Sequence, residues 1–168
     1  ATDVGVAIVE LLRVFTKPGD KVLFSSPVYQ NFYTWMRETH VEMVDVPFRI
    51  DSQSSDQTGW SHDWAGIEAA YESGIAVHLL CSPHNPLGKV YTSEELLRIV
   101  ELAKQYGVVV ISDEIHAPLT FKEQPFIPFL SVSEAAAEVG VAVSAASKGW
   151  NIAGLKCAII ISQTEKMH

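Results

Sequence analysis

In the run Ser144-Ala145-Ala146-Ser147-Lys148 a lysine follows two small residues and a serine, just past an apolar stretch. An amine partly withdrawn from water there has a lowered pKa and serves as a Schiff-base former or a general base. Asp113 closes the most apolar run in the sequence, Val108-Val109-Val110-Ile111-Ser112. A carboxylate buried at such a point costs several kcal/mol unless a cation pairs with it, and a protonated pyridine-type nitrogen is one such cation. Asn85 offers an amide that donates to a phenolate oxygen, and its bond to Pro86 is a candidate cis peptide that would aim the side chain. Tyr29 has a ring that can lie flat against an aromatic ligand. Lys156, eight residues beyond Lys148, is a cation suited to a phosphate.

These residues need a scaffold that brings strand ends together. Apolar residues at helical spacing from Val4 to Phe15 predict a helix, which Lys17-Pro18-Gly19-Asp20 ends. A strand follows at 21–24, then an aromatic-rich helix at 29–40 and a second strand at 41–46. The polar, serine-rich stretch 51–60 reads as an exposed loop before a helix at 63–71. Residues 75–80 form an apolar strand and 84–88 a turn, and Thr92-Ser93-Glu94-Glu95 matches a capping box that opens a helix running to Tyr106. Gly107 caps that helix, and the β-branched run 108–112 is of the kind buried on both faces of a parallel sheet. A helix at 131–139 and strands at 141–144 and 155–162 complete the pattern. The expected architecture is α/β, a mostly parallel open sheet with helices on both faces. Ligands of such sheets bind at the carboxyl ends of the strands, where the residues above fall.

Composition excludes other classes. The chain has 168 residues, 48% of them apolar, enough for a real core. Lys plus Arg number 12 against 20 Asp plus Glu, a net charge of -8 with no dense basic run, which argues against nucleic acid or an anionic membrane as partner. The two cysteines, Cys81 and Cys157, have no metal-ligand spacing. No apolar run approaches the ~20 residues that span a bilayer, and a soluble, cytoplasmic protein is expected. The start, Ala1-Thr2-Asp3-Val4-Gly5, lacks an initiator Met and a basic leader and reads as a chain cut open mid-sequence. Neither GxGxxG nor GxxxxGK[ST] follows a strand, so a dinucleotide or P-loop site lacks its glycine cradle.

Five motifs, in order, carry a resemblance. They are Lys17-Pro18-Gly19-Asp20, Pro27-Val28-Tyr29-Gln30-Asn31-Phe32, His84-Asn85-Pro86-Leu87-Gly88, Asp113-Glu114-Ile115-His116 and the segment from Ser147-Lys148 to Gly154-Leu155-Lys156. Together they resemble the large domain of the fold-type-I pyridoxal 5'-phosphate (PLP) enzymes, the class I/II aminotransferase superfamily. The sequences around Asn85, Asp113 and Lys148 look most like the cystathionine β-lyase, or cysteine C–S lyase, branch.

The resemblance implies that Lys148 carries PLP, Asp113 pairs with its ring nitrogen, Asn85 bonds its 3'-oxygen and Tyr29 stacks on the ring. It places His116 where transaminases usually have a tyrosine, and Ser147, Lys156 and the helix start near Asp3–Gly5 at the phosphate. There Asp3 would set a negative charge beside a dianion. Residues 1–168 would be a large domain lacking an N-terminal segment, one strand and the C-terminal small domain, with the arginine that clamps a substrate carboxylate. The parent would be a homodimer acting on a small amino acid. Two alternatives stand beside the lyase: an aminotransferase of the same superfamily, and an incomplete chain that acts at most as a PLP-binding module. A Ser112/Asp113/His116 hydrolase lacks the GxSxG elbow. His40, His62, His78, Cys81 and Cys157 are read as structural.

Overall fold

The computed structural model describes residues 1–50 and 59–167. In chain order its elements are α1 (Val4–Phe15), β1 (Lys21–Phe24), α2 (Asn31–Glu38), β2 (Glu42–Asp45), β3 (Arg49–Ile50) and β4 (Trp60–Ser61). Then come α3 (Trp64–Glu72), β5 (Ile75–Cys81), α4 (Ser93–Tyr106), β6 (Val109–Asp113), α5 (Glu134–Val139), β7 (Gly140–Ser144) and β8 (Ile159–Ile161). Six strands form one sheet in the order β2-β1-β5-β6-β7-β8. All neighbours are parallel except β7 and β8.

Both faces of this sheet are covered, which is why its strands read as apolar runs and not as alternating patterns. Successive side chains point to opposite faces. Val22, Phe24, Val77, Leu79, Ile111, Val141 and Val143 pack with Ala7, Ile8, Leu11 and Leu12 of α1 and Phe32 and Met36 of α2. Leu23, Leu80, Val110 and Ala142 pack instead with Ile67 and Tyr71 of α3, Leu96, Ile99 and Ala103 of α4, and Val139 of α5. The buried His78 is satisfied by the Tyr71 hydroxyl at 2.8 Å, a structural role.

Helix ends follow their local chemistry. Thr92 Oγ1 accepts from the Glu95 N–H and the Glu95 carboxylate accepts from the Thr92 N–H, completing the capping box of α4. Gly107 ends α4 with φ 70°, a left-handed conformation that glycine adopts without steric cost.

Four expectations shift. The aromatic helix begins at Asn31, so Tyr29 stands outside it, and it ends at Glu38, where the Thr39 hydroxyl bonds back to the Trp35 and Met36 carbonyls. Of the expected loop 51–60, residues 51–58 lie outside the described residues, whereas Trp60 belongs to a two-residue antiparallel pairing with Ile50. The helix expected over 131–139 starts at Glu134, since the Ser133 hydroxyl caps Ala136 N–H. The last strand is only Ile159–Ile161: Ala153–Leu155 is a 3-10 turn closed by Lys156 at φ 53°, which interrupts an extended chain.

The capping box bears directly on stability. Thr92→Ala should cost about 1 kcal/mol and lower the thermal midpoint by roughly 2–4 °C, measured by circular dichroism, while Ser93→Ala changes it little.

Candidate active site

At the carboxyl ends of the parallel strands lies a cavity of about 570 Å³. Its lining includes Tyr29, Asn85, Asp113, His116, Ser147, Lys148 and Lys156, every residue expected from the sequence, together with Asp3, Gly5, Trp35 and Cys81. The parallel topology explains this convergence: β1, β5, β6 and β7 point the same way, so the segments that follow them meet on one edge.

Asp113 ends β6, flanked by β5 and β7, and is buried. Its Oδ1 accepts the Ile115 N–H at 3.2 Å. Burial pushes its pKa up to about 7, opposed by that hydrogen bond and by the positive charge of Lys148. Cys81, at the neighbouring end of β5, has its thiol pKa raised by burial and by Asp113. Its sulfur accepts the Asn85 N–H at 3.4 Å.

Asn85 is half-buried, and its peptide bond to Pro86 is cis. Its carbonyl accepts the Tyr29 N–H at 3.0 Å, tying the turn after β5 to the one after β1. The Tyr29 ring meets Trp35 edge to face at 6.0 Å, and its hydroxyl accepts from the Asn31 amide at 2.9 Å. Trp35 in turn needs Gly5: a Cβ there would stand 2.9 Å from Trp35 Nε1. The His116 ring bonds the Pro83 backbone, and burial, then the Lys148 charge, lowers its pKa.

Lys148 departs from expectation. It is exposed, not partly withdrawn from water, and sits in the turns at 146–150 that follow β7. Lys156 lies in the left-handed region at φ 53°, a conformation that costs a non-glycine residue about 1 kcal/mol. Its Nζ is 3.1 Å from Asp3 Oδ2. Ser112 is wholly buried and donates to Glu114 Oε1 at 3.1 Å, a commitment that takes it out of a Ser-His-Asp arrangement with Asp113 and His116.

Sequence reasoning missed Trp35 and Glu114. Glu114 is buried, accepts from Ser112 Oγ and from the Phe129 N–H at 2.9 Å, and burial lifts its pKa to about 7. An acidic pair at the end of a buried strand was its signal. Trp35 had only its place in an aromatic stripe with Phe32. The cavity thus offers an amine, a desolvated carboxylate that senses its charge, an amide, an aromatic wall and a second cation.

The profile of the aminotransferase class I and II family matches residues 2–167. The chain belongs to this family. Its relatives include a cystathionine β-lyase of Corynebacterium glutamicum, 36% identical over 90% of this chain and 38% of its own length. Another is the cystathionine β-lyase PatB of Bacillus subtilis, 34% identical over 89% of this chain and 38% of its own. Among solved structures, cystalysin of Treponema denticola, which contains a PLP cofactor, superposes with a TM-score of 0.90 at 28% identity over 99% of this chain and 41% of its own. The chain spans about 40% of the length of the curated relatives it matches. The mostly parallel six-stranded α/β sheet is the fold these neighbours share.

An acid with a higher pKa folded than unfolded binds more protons in the folded state between the two values. In the ligand-free protein, Asp113 therefore favours folding most at low pH, and that contribution is lost as pH rises from 3.8 to about 7. Between about pH 5 and 7 the urea-unfolding free energy of Asp113→Asn should change more favourably than that of the wild type, by roughly 2 kcal/mol. Glu114, raised in the same direction, adds to that loss, while His78, His84 and His116, whose pKa values burial lowers, oppose it. Equal slopes in both proteins would show that Asp113 is not held neutral.

Proposed function

We propose that this chain is the cofactor-binding large domain of a PLP-dependent C–S β-lyase that acts on cystathionine- or cysteine-type amino acids, releasing a thiol, pyruvate and ammonia. The observation that carries the reading is Asp113: a desolvated carboxylate that favours its neutral form until a cation is set against it, in the same cavity as Lys148. A pyridinium nitrogen fits that requirement. The lyase branch is supported by relatives named cystathionine β-lyase.

Bound here, the cofactor would supply an electron sink that makes a substrate Cα proton acidic. Lys148 would carry the cofactor and then, released, take that proton as the general base, a role worth ~10²–10⁴-fold in rate. Asp113 would hold the ring-nitrogen proton in place. Asn85 would donate to the ring oxygen, Tyr29 would lie against the ring, and His116 would approach the same oxygen or brace the Pro83 turn. Ser147 and Lys156 would take the phosphate. The exposure of Lys148 would be ended by parts of a longer protein, a small domain and the second subunit of a cytoplasmic homodimer, with the substrate a small amino acid.

An aminotransferase would use the same residues as far as removal of the Cα proton, and the family includes that chemistry. A chain that binds PLP without turnover is the third outcome.

Borohydride treatment of the protein with PLP should leave a phosphopyridoxyl group on Lys148 in peptide mass mapping, and Lys148→Ala should lose both that adduct and the visible band. With the adduct in hand, pyruvate and thiol release from L-cystathionine supports the lyase. Amino transfer to a 2-oxo acid without thiol release supports the aminotransferase, and neither activity leaves the binding module. No adduct on Lys148 would overturn the PLP reading.

A further inference from the structure

The cavity's basic end is already occupied by part of the protein itself. Three cationic side chains line the cavity: Arg13, Lys148 and Lys156. Arg13 is spent on Glu10 at 2.6 Å and Glu38 at 3.4 Å. Lys148 carries the cofactor in the reading above, which leaves Lys156 to meet a cofactor's anionic group. Yet Lys156 Nζ holds Asp3 Oδ2 at 3.1 Å. The other oxygen of Asp3 accepts the Val6 N–H at 2.9 Å, so one carboxylate gathers both the lysine and the first turn of α1. Hydrogen bonds to the Val6 N–H and to Lys156 hold the Asp3 pKa below its ordinary value, keeping it ionised.

Capping alone does not require this charge, because Asn and Ser cap a helix as well as Asp. Nor is the contact a neighbour effect of the chain, since the two residues are 153 positions apart. Lys156 reaches it from a left-handed backbone conformation that few lysines adopt.

We propose that Asp3 is a built-in competitor for the phosphate of PLP: in the unliganded protein its carboxylate occupies Lys156, and a phosphate dianion binds only by taking Lys156 from it. The proposal rests on the reading that this cavity takes PLP. It makes Asp3 a residue that weakens the protein's discrimination between PLP and the unphosphorylated aldehyde. Exposed charges of this kind act through water and are screened by salt, so the competition is strongest at low ionic strength.

The test is a titration, followed by visible absorbance, of wild type, Asp3→Asn, Lys156→Met and the double variant with PLP and, separately, with pyridoxal. At about 0.01 M salt, where screening is weak, Asp3→Asn should bind PLP at least tenfold more tightly than wild type and pyridoxal with unchanged affinity. At about 1 M salt the gain should fall toward unity. Lys156→Met should weaken PLP binding in the wild type, since it removes the phosphate's cation and leaves the Asp3 charge unneutralised, and added to Asp3→Asn it should abolish the gain over wild type. Asp3→Ser repeats the experiment with a second good cap should the asparagine variant fold poorly. Equal PLP affinity in wild type and both Asp3 variants, or an equal gain for pyridoxal, overturns the proposal while leaving the PLP reading intact. Absence of any PLP uptake in all the proteins overturns the PLP reading and this one with it.

Discussion

The carboxylate of Asp113 is the constraint around which this structure is arranged. It ends a strand with a parallel neighbour on each side, so water cannot reach it from the sheet, and one backbone N–H from Ile115 answers only part of its need. A lone anion in that position is unfavourable by several kcal/mol. The rest of the edge supplies what can relieve it: an amine across the cavity, and an open volume large enough for a ring cation.

That edge is built by backbone more than by side chains. The Tyr29 N–H bonds to the Asn85 carbonyl, joining the turns after β1 and β5, while the Ser82 N–H to the Asp113 carbonyl and the Glu114 N–H to the Val143 carbonyl each join the segment after one strand to the end of its neighbour. Behind them, the Lys89 amine, almost wholly buried, is paired with Glu95 at 2.9 Å, which fastens the Asn85 turn to the capping box of α4. A buried pair of this kind is costly to break from one side. It fixes the turn's position relative to a helix whose own start is rigid.

Much of this was legible in the sequence because it follows from short-range chemistry. The capping box at Thr92, the glycine at 107 and the proline-glycine turn after α1 each state their structure within four residues. The β-branched run before Asp113 announced a doubly covered strand, and the strand ends therefore announced the cavity. What stayed hidden depended on distance in the chain or on shape. The pairing of Asp3 with Lys156 joins opposite ends of the sequence. The exposure of Lys148 depends on what covers the cavity, a property no local pattern encodes. The β3/β4 pairing is two residues long on each side, too short to leave a periodic trace. Trp35 mattered only once α1 placed a glycine against it.

The chain order of the cavity's parts has a kinetic meaning. Asp3 and Gly5 come from its first residues, Lys148 and Lys156 from its last stretch, and Ala1 exchanges two backbone hydrogen bonds with Ala158 at 2.9 Å. Closing so long a loop forfeits chain entropy before any contact repays it, and parallel sheets of this connectivity fold slowly for that reason. The cavity is thus among the later features of this fold to assemble, because it waits for residues 148–156 to meet residues 3–5. Apolar surface left uncovered before that closure is the stage at which such a fold is most open to aggregation.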